Sequence, residues 1–309
     1  MTSGPLLTTE GRWPATEGPW PTLARPWPPA ARPRPTAADP WPTIARAAGT
    51  RHPVALRLAE PRHLALGPVH RGPVAELRAF LHAALLRPVD RDHAEPPGRV
   101  RRRRVVALIT LLAGAGILAA ALRITPGDPA FYGATLALAA VWTVGALASG
   151  PLHLGRAHTR AGAQDARPVV QSLALGGLLV ALFLAGAVLV SRVPALVREV
   201  DAVLDHARLG STALILIVVV VNGIAEELYF RGALYAAVGR HAVPITTVLY
   251  ALTTAGTGNP MLVLAAAFLG VLTGLQRRVT GGVLGPILTH IVWSSAMVFL
   301  LPPVLEALS

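Results

Sequence analysis

From Val105 to Leu301 the chain is a succession of apolar runs broken by short polar stretches. The runs fall at roughly 105–122, 130–149, 169–190, 211–230, 244–258, 261–276 and 283–301. Each is about 15 to 22 residues long, close to what a helix needs to cross a ~30 Å hydrocarbon core. The expected fold is therefore all-α: a polytopic transmembrane helical bundle of about seven spans. The runs 244–258 and 261–276 are short and joined by "GTGNP", so a re-entrant hairpin there would change the count by one.

The polar breaks orient the spans. "RVRRRR", Arg99 to Arg104, abuts the first run, and the 150–168 loop carries Arg156, Arg160 and Arg167. Arg240 and the pair Arg277, Arg278 fall at the corresponding ends of later runs. Seven spans with the N-terminus in the cytoplasm put every one of these clusters inside, as the positive-inside rule requires. The expected location is the cell membrane. The stretch "RVPALVREVDAVLDHARL", 192–209, mixes charged and apolar residues at helical spacing and should lie along the outer interface.

Residues 1–104 read differently. They hold 18 of the 28 prolines and 17 of the 28 arginines, a composition that cannot bury enough apolar surface to fold. Trp13, Trp20, Trp27 and Trp41 are each followed by proline. The expectation is a disordered Pro/Arg-rich N-terminal extension ahead of a transmembrane domain at 105–309. One short piece, "VAELRAFLHAALL" at Val74–Leu86, has apolar residues at helical spacing and should form an amphipathic helix stopped by Pro88.

Composition sharpens the class. Hydrophobic residues make up 53% and charged ones 14%, with a mean hydropathy of +0.52, outside the range of ordinary soluble domains. Cysteine is absent, which excludes disulfides, thiolate metal sites and a cysteine nucleophile. The net charge is +12 and every basic residue is arginine, a bias expected of a GC-rich bacterial genome. In a membrane protein such charge points to the lipid bilayer rather than nucleic acid. The first 100 residues lack the apolar core of a secretory signal. No internal repeat is evident, which weighs against a transporter with Glu226 and Glu227 as an ion relay.

One apolar run ends in chemistry. After "LILIVVVVNGIA" come Glu226, Glu227 and, four residues on, Arg231. Glu227 and Arg231 share a helix face in the favourable order. Glu226 points about 100° away, at 3.6 residues per turn, so one arginine cannot neutralise both. One carboxylate is then paired and the other is available as a general base. An ion pair snorkelling at a helix end is the plainer alternative, but ionisable groups within a membrane are functional by default. The last run, "GPILTHIVWSSAMVFLL", carries His290 and Ser294 four apart on one face. Between them "LYALTTAGTGNP" offers Tyr250, Thr253, Thr254 and Asn259. Threonines in membrane helices commonly bond back to their own backbone.

"EELYFRG" resembles the E-E-x-x-x-R motif of the CPBP family, the intramembrane proteases similar to type II CAAX prenyl endopeptidases and bacteriocin-processing enzymes. The family follows it with F-x-x-x-H in the next helix and H-x-x-x-N, or a close variant, in the last. The order and spacing hold over about 205–301, where "GNP", "FLGVLTGL" and "GPILTH" also resemble the family's context. The resemblance implies that Glu226 activates the attacking water, that Glu227 and Arg231 organise it, and that His290 serves as metal ligand or oxyanion stabiliser. Asn222, Tyr250, Thr254, Asn259 and Ser294 would support them. It implies zinc held by Glu226 and His290, yet Thr254 stands where the middle histidine belongs and Ser294 where the asparagine does. The function implied is an intramembrane endopeptidase acting on membrane-anchored peptides or proteins. A catalytically weakened homologue serving as a membrane scaffold is the alternative.

Overall fold

The computed structural model describes residues 72–91, 93–158 and 164–308. The tryptophan–proline series and the rest of the extension up to residue 71 lie outside the described residues. The helices are α1 (Pro73–Leu85), α2 (Pro97–Ala121), α3 (Ala130–Ser149), α4 (Val169–Val190), α5 (Pro194–Arg208), α6 (Thr212–Val238), α7 (Ala242–Ala255), α8 (Pro260–Thr280) and α9 (Leu284–Leu308). Among the described residues there is no strand beyond a single bridge between Ala157 and Ala166. Six helices, α2, α3, α4, α6, α8 and α9, are long and apolar enough to cross a membrane. The seventh, α7, is shorter, with 14 residues.

The helices pair as α2 with α3, α4 with α9 and α7 with α8, and α6 lies between α3 and α9. Without a hydrophobic drive between helices in lipid, close approach depends on small residues. The α2–α3 seam shows this: a Cβ at Gly114 would sit 2.1 Å from the Trp142 ring, and one at Gly145 would sit 2.2 Å from the Thr110 hydroxyl. Trp142 in turn stacks on Tyr229 at 4.5 Å and packs against Phe230 at 5.3 Å, anchoring α6 to α3.

The connecting segments tie one end of the bundle together. Arg104 donates to the Ala237 carbonyl, Val89 N–H to Val279 and Arg156 N–H to Thr280, while Val283 N–H bonds His153. This is the arginine-rich end. At the other, Asn259 donates to the Glu199 carbonyl of α5 at 2.6 Å. The turn after α7 therefore reaches the end opposite to the one at which α7 begins, and α7 packs antiparallel to α8.

Two boundaries differ from the pattern of apolar runs. The arginines 101–104 lie inside α2 rather than ahead of it, and Arg103 is only 1% exposed. Its guanidinium binds Glu95 through both Nε and Nη2, the Ser149 hydroxyl through Nη1 and the Pro151 carbonyl through Nη2. Residues 97–104 are thus part of the first spanning helix. Helix α1 packs on α8, and its Leu81 and Leu85 line an apolar cavity with Leu178 and Leu179 of α4 and Leu272 of α8. Helix α6 also runs on past Phe230 to Val238, because its turn at Leu228–Leu234 is π-helical and keeps the backbone hydrogen-bonded.

Candidate active site

The site is built where α6 changes its winding. Glu226 and Glu227 are the last residues of regular α-helix, and Arg231 lies within the π-helical turn that follows. Such turns occur often at functional positions because the extra residue per turn re-aims side chains. Here Glu227 and Arg231 are both fully buried and Nε lies 3.2 Å from Glu227 Oε2. The other oxygen, Oε1, lies 3.0 Å from Nδ1 of His290 on α9. Glu227 therefore bridges an arginine and a histidine from two helices. With Nδ1 facing Glu227, the His290 lone pair or proton at Nε2 is the one left for chemistry. Gly223 lies beside the His290 ring, where a Cβ would be in ordinary contact at 3.6 Å.

Glu226 is held apart from that bridge. Its Oε2 accepts a hydrogen bond from the Tyr250 hydroxyl of α7. Tyr250 also lies under Arg231, whose guanidinium carbon is 5.0 Å from the ring centroid. One aromatic side chain thus touches both halves of the site, hydroxyl to the base candidate and face to the cation. Arg231 is not saturated. Nη2 reaches the Leu269 carbonyl at 3.5 Å, while Nη1 and Nε are buried with no hydrogen-bond partner among the described residues, Nε meeting Glu227 as an ion-pair contact alone.

The structure brings together Glu226, Glu227, Arg231, Tyr250 and His290. The supporting residues are placed differently. Thr254 donates to the Tyr250 carbonyl at 2.9 Å, Ser294 to the His290 carbonyl at 2.8 Å and Asn222 to the Val218 carbonyl at 3.0 Å. Each bonds back to its own helix, although the Asn222 carbonyl oxygen is buried and unpaired. Asn259 caps α8, accepting from Met261 and Leu262, at the end facing α5. His241 caps the start of α7, about 20 Å along the helix from Thr254 at 1.5 Å per residue.

Arg277 joins the site from outside the motif. It is 5% exposed, donates through Nε to the Arg231 carbonyl at 2.7 Å, and lies over the Tyr235 ring at 5.0 Å. Its helical phase was the available signal: Leu269, Thr273 and Arg277 recur every four residues along α8, and Leu269 is the other α8 residue that meets Arg231.

A zinc site with three protein ligands does not fit these donors. Among the described residues no three His, Cys, Asp or Glu side chains converge. Glu227 is committed to Arg231 and His290, which leaves Glu226 and His290 Nε2. Thr254, at the place of a second histidine, directs its hydroxyl to its own backbone.

Residues 208–296 match the family described as Rce1-like, type II CAAX prenyl endopeptidase Rce1-like. This segment, less than a third of the chain, is similar to Rce1-like domains. It runs from the end of α5 through α6, α7 and α8 into α9, and so contains every side chain of the site; α2, α3 and α4 lie outside the matched segment. No curated protein and no solved structure matches the chain.

Proposed function

We propose that the protein is a membrane endopeptidase of the CAAX-protease type, cleaving a membrane-anchored peptide or protein with Glu226 as general base. One observation carries this reading: of two adjacent carboxylates, Glu227 is bridged by Arg231 and His290, while among the described residues Glu226 has one hydrogen bond, from the Tyr250 hydroxyl. The paired carboxylate organises the site and the other has its second oxygen for a water.

In the proposed step Glu226 takes a proton from that water as its oxygen bonds the peptide carbonyl carbon. The oxyanion that forms is stabilised by the Arg231–His290 side of the site, where Nη1 of Arg231 has no other partner. Glu226 then returns the proton to the leaving nitrogen as the C–N bond breaks. No metal enters the step. The arginine-rich end faces the cytoplasm in this reading.

A second reading, a scaffold without turnover, is favoured by Thr254 and Ser294, whose hydroxyls are turned to backbone carbonyls where the family places imidazole and amide groups. Purified protein and its Glu226→Ala variant, incubated with membrane-anchored peptides and read by mass spectrometry, separate the two. The enzyme reading expects cleavage by the native chain, none by the variant, and no effect of a chelator. Cleavage lost in chelator overturns the metal-free step, and cleavage by neither protein supports the scaffold.

A further inference from the structure

The arginine-rich end contains a second built site, independent of the proteolytic reading. A cavity of about 580 Å³ opens among the connectors there, lined by Asp90, Arg91, His93, His153, Arg156 and Arg167 and floored by Thr280 and Gly281 at the α8–α9 turn. Three arginines line it from two connectors, Arg91 from α1–α2 and Arg156 and Arg167 from α3–α4. None of the three forms an ion pair with a described residue.

Their protein contacts are positional. Arg91 donates to the Arg278 carbonyl at 2.6 Å. It passes across Gly281, where φ is +71° and a Cβ would come within 2.7 Å of Arg91 Cδ. Arg167 reaches the Gly155 carbonyl at 3.4 Å. The Arg156 side chain makes no hydrogen bond or ion pair with a described residue; only its backbone N–H is used, on Thr280. The one carboxylate in the lining, Asp90, is held by Gln164 in both directions, accepting from the amide at 3.0 Å and donating its backbone N–H at 2.5 Å. Among the described residues of the lining, three guanidiniums thus face one carboxylate, and that carboxylate is already engaged.

The position narrows the ligand. The cavity sits between the last residue of α3, Ser149, the first of α4, Val169, and the α8–α9 turn, where apolar spans give way to polar connectors. That is the depth of bilayer headgroups, and planar guanidiniums suit phosphate oxygens. We propose that this cavity binds an anionic phosphate, one that carries no balancing cation of its own, through Arg91, Arg156 and Arg167. A phosphatidylglycerol headgroup and a soluble glycerol phosphate share that chemistry.

The test is a binding titration of the full chain in neutral detergent, read by thermal shift and native mass spectrometry. The probes are short-chain phosphatidylglycerol, phosphatidylcholine of the same chains, and free glycerol phosphate. Phosphatidylglycerol should bind and raise the melting midpoint, with phosphatidylcholine much weaker. Arg156→Gln should weaken binding about fivefold and Arg156→Gln with Arg167→Gln about 25-fold, each near-surface arginine contributing on the order of one such factor. Arg99→Gln with Arg101→Gln removes the same charge from the same end outside the cavity and should change affinity less than about twofold. Glycerol phosphate binding with the same arginine dependence assigns the site to soluble phosphates; failure of that probe alone assigns it to the lipid. Equal binding of the two lipids, or equal loss in the Arg99/Arg101 control, overturns the proposal.

Discussion

Among the described residues, two buried arginines pair with a glutamate, and the pairs are finished differently. Arg103 is closed: it holds Glu95 with two nitrogens and directs its other contacts to Ser149 and Pro151. Arg231 is open: Glu227 is shared with His290, Nη1 has no partner, and a tyrosine face replaces a second acceptor. Glu95 keeps some access to water, at 16% exposure, and Glu227 has none. A closed pair ties a connector to helix ends. An open one, fully desolvated, keeps strong donors in reserve for charge that appears only during a reaction.

The largest test of that contrast is to remove each arginine. Arg231→Met strands Glu227 at zero exposure and should cost about 3–5 kcal/mol of stability, the usual result of leaving a buried charge unpaired. Adding Glu227→Gln should restore most of the stability and none of the turnover. Unfolding in mixed micelles beside the peptide-cleavage assay measures both. Equal activity in the restored double variant would show that the pair is only structural.

Arg103→Met should cost less, about 1–3 kcal/mol, because Glu95 can turn to solvent. Its turnover, corrected for folded protein, should be unchanged. A loss as deep as that of Arg231→Met would erase the distinction between the two pairs.

Tyr250→Phe acts on the open site alone. It removes the hydroxyl from Glu226 and keeps the ring under Arg231. Turnover should fall about 10- to 100-fold, matching a hydrogen bond to a charged group of roughly 1.5–3 kcal/mol. Stability should fall by about 1–3 kcal/mol, the cost of leaving a hydrogen-bonded group without its partner. The ratio of the two effects is what the measurement reads.

The open pair was largely legible in the sequence and the closed one was not. Glu227 and Arg231 are four apart in one helix, so helical period alone pairs them and turns Glu226 away. Partners from other helices needed the resemblance: His290 and Tyr250 are named by motif position, and no spacing rule places His290 on Glu227 rather than Glu226. The π-helical turn escaped, because apolar periodicity assumes a constant winding. Arg103 read as one of a run of membrane-edge charges. Its burial depends on Glu95, eight residues back and before the start of α2, a contact no helical period predicts. Arg277 was counted as a cytoplasmic charge, although its four-residue spacing from Thr273 and Leu269 puts it on the α8 face that meets Arg231.

The smallest expected effect is a pH dependence confined to the closed region. Arg103 holds the Glu95 carboxyl below its ordinary value of 4.5. Burial, with Arg277 and Arg103 beside it, lowers His153 below 6.5, against the opposing pull of Glu95. Both shifts favour the unfolded state as protons are added, since the unfolded chain binds them first. Their windows are separate. Glu95 contributes stability above about 4.5 that is lost as pH falls through its lower folded value, and His153 begins to lose stability as pH drops below 6.5. Between roughly pH 7 and 5, the slope from His153 can reach at most about 1.4 kcal/mol per pH unit, the value for one extra proton in the unfolded state. His93 stacks on His153 at 3.7 Å, so it must be held constant. In a His93→Phe background, melting midpoints should decline on acidification through this window, and His153→Gln should flatten the decline. An unchanged slope would mean that the imidazole titrates alike in both states and that the arginines around it, Arg103 included, act on Glu95 alone.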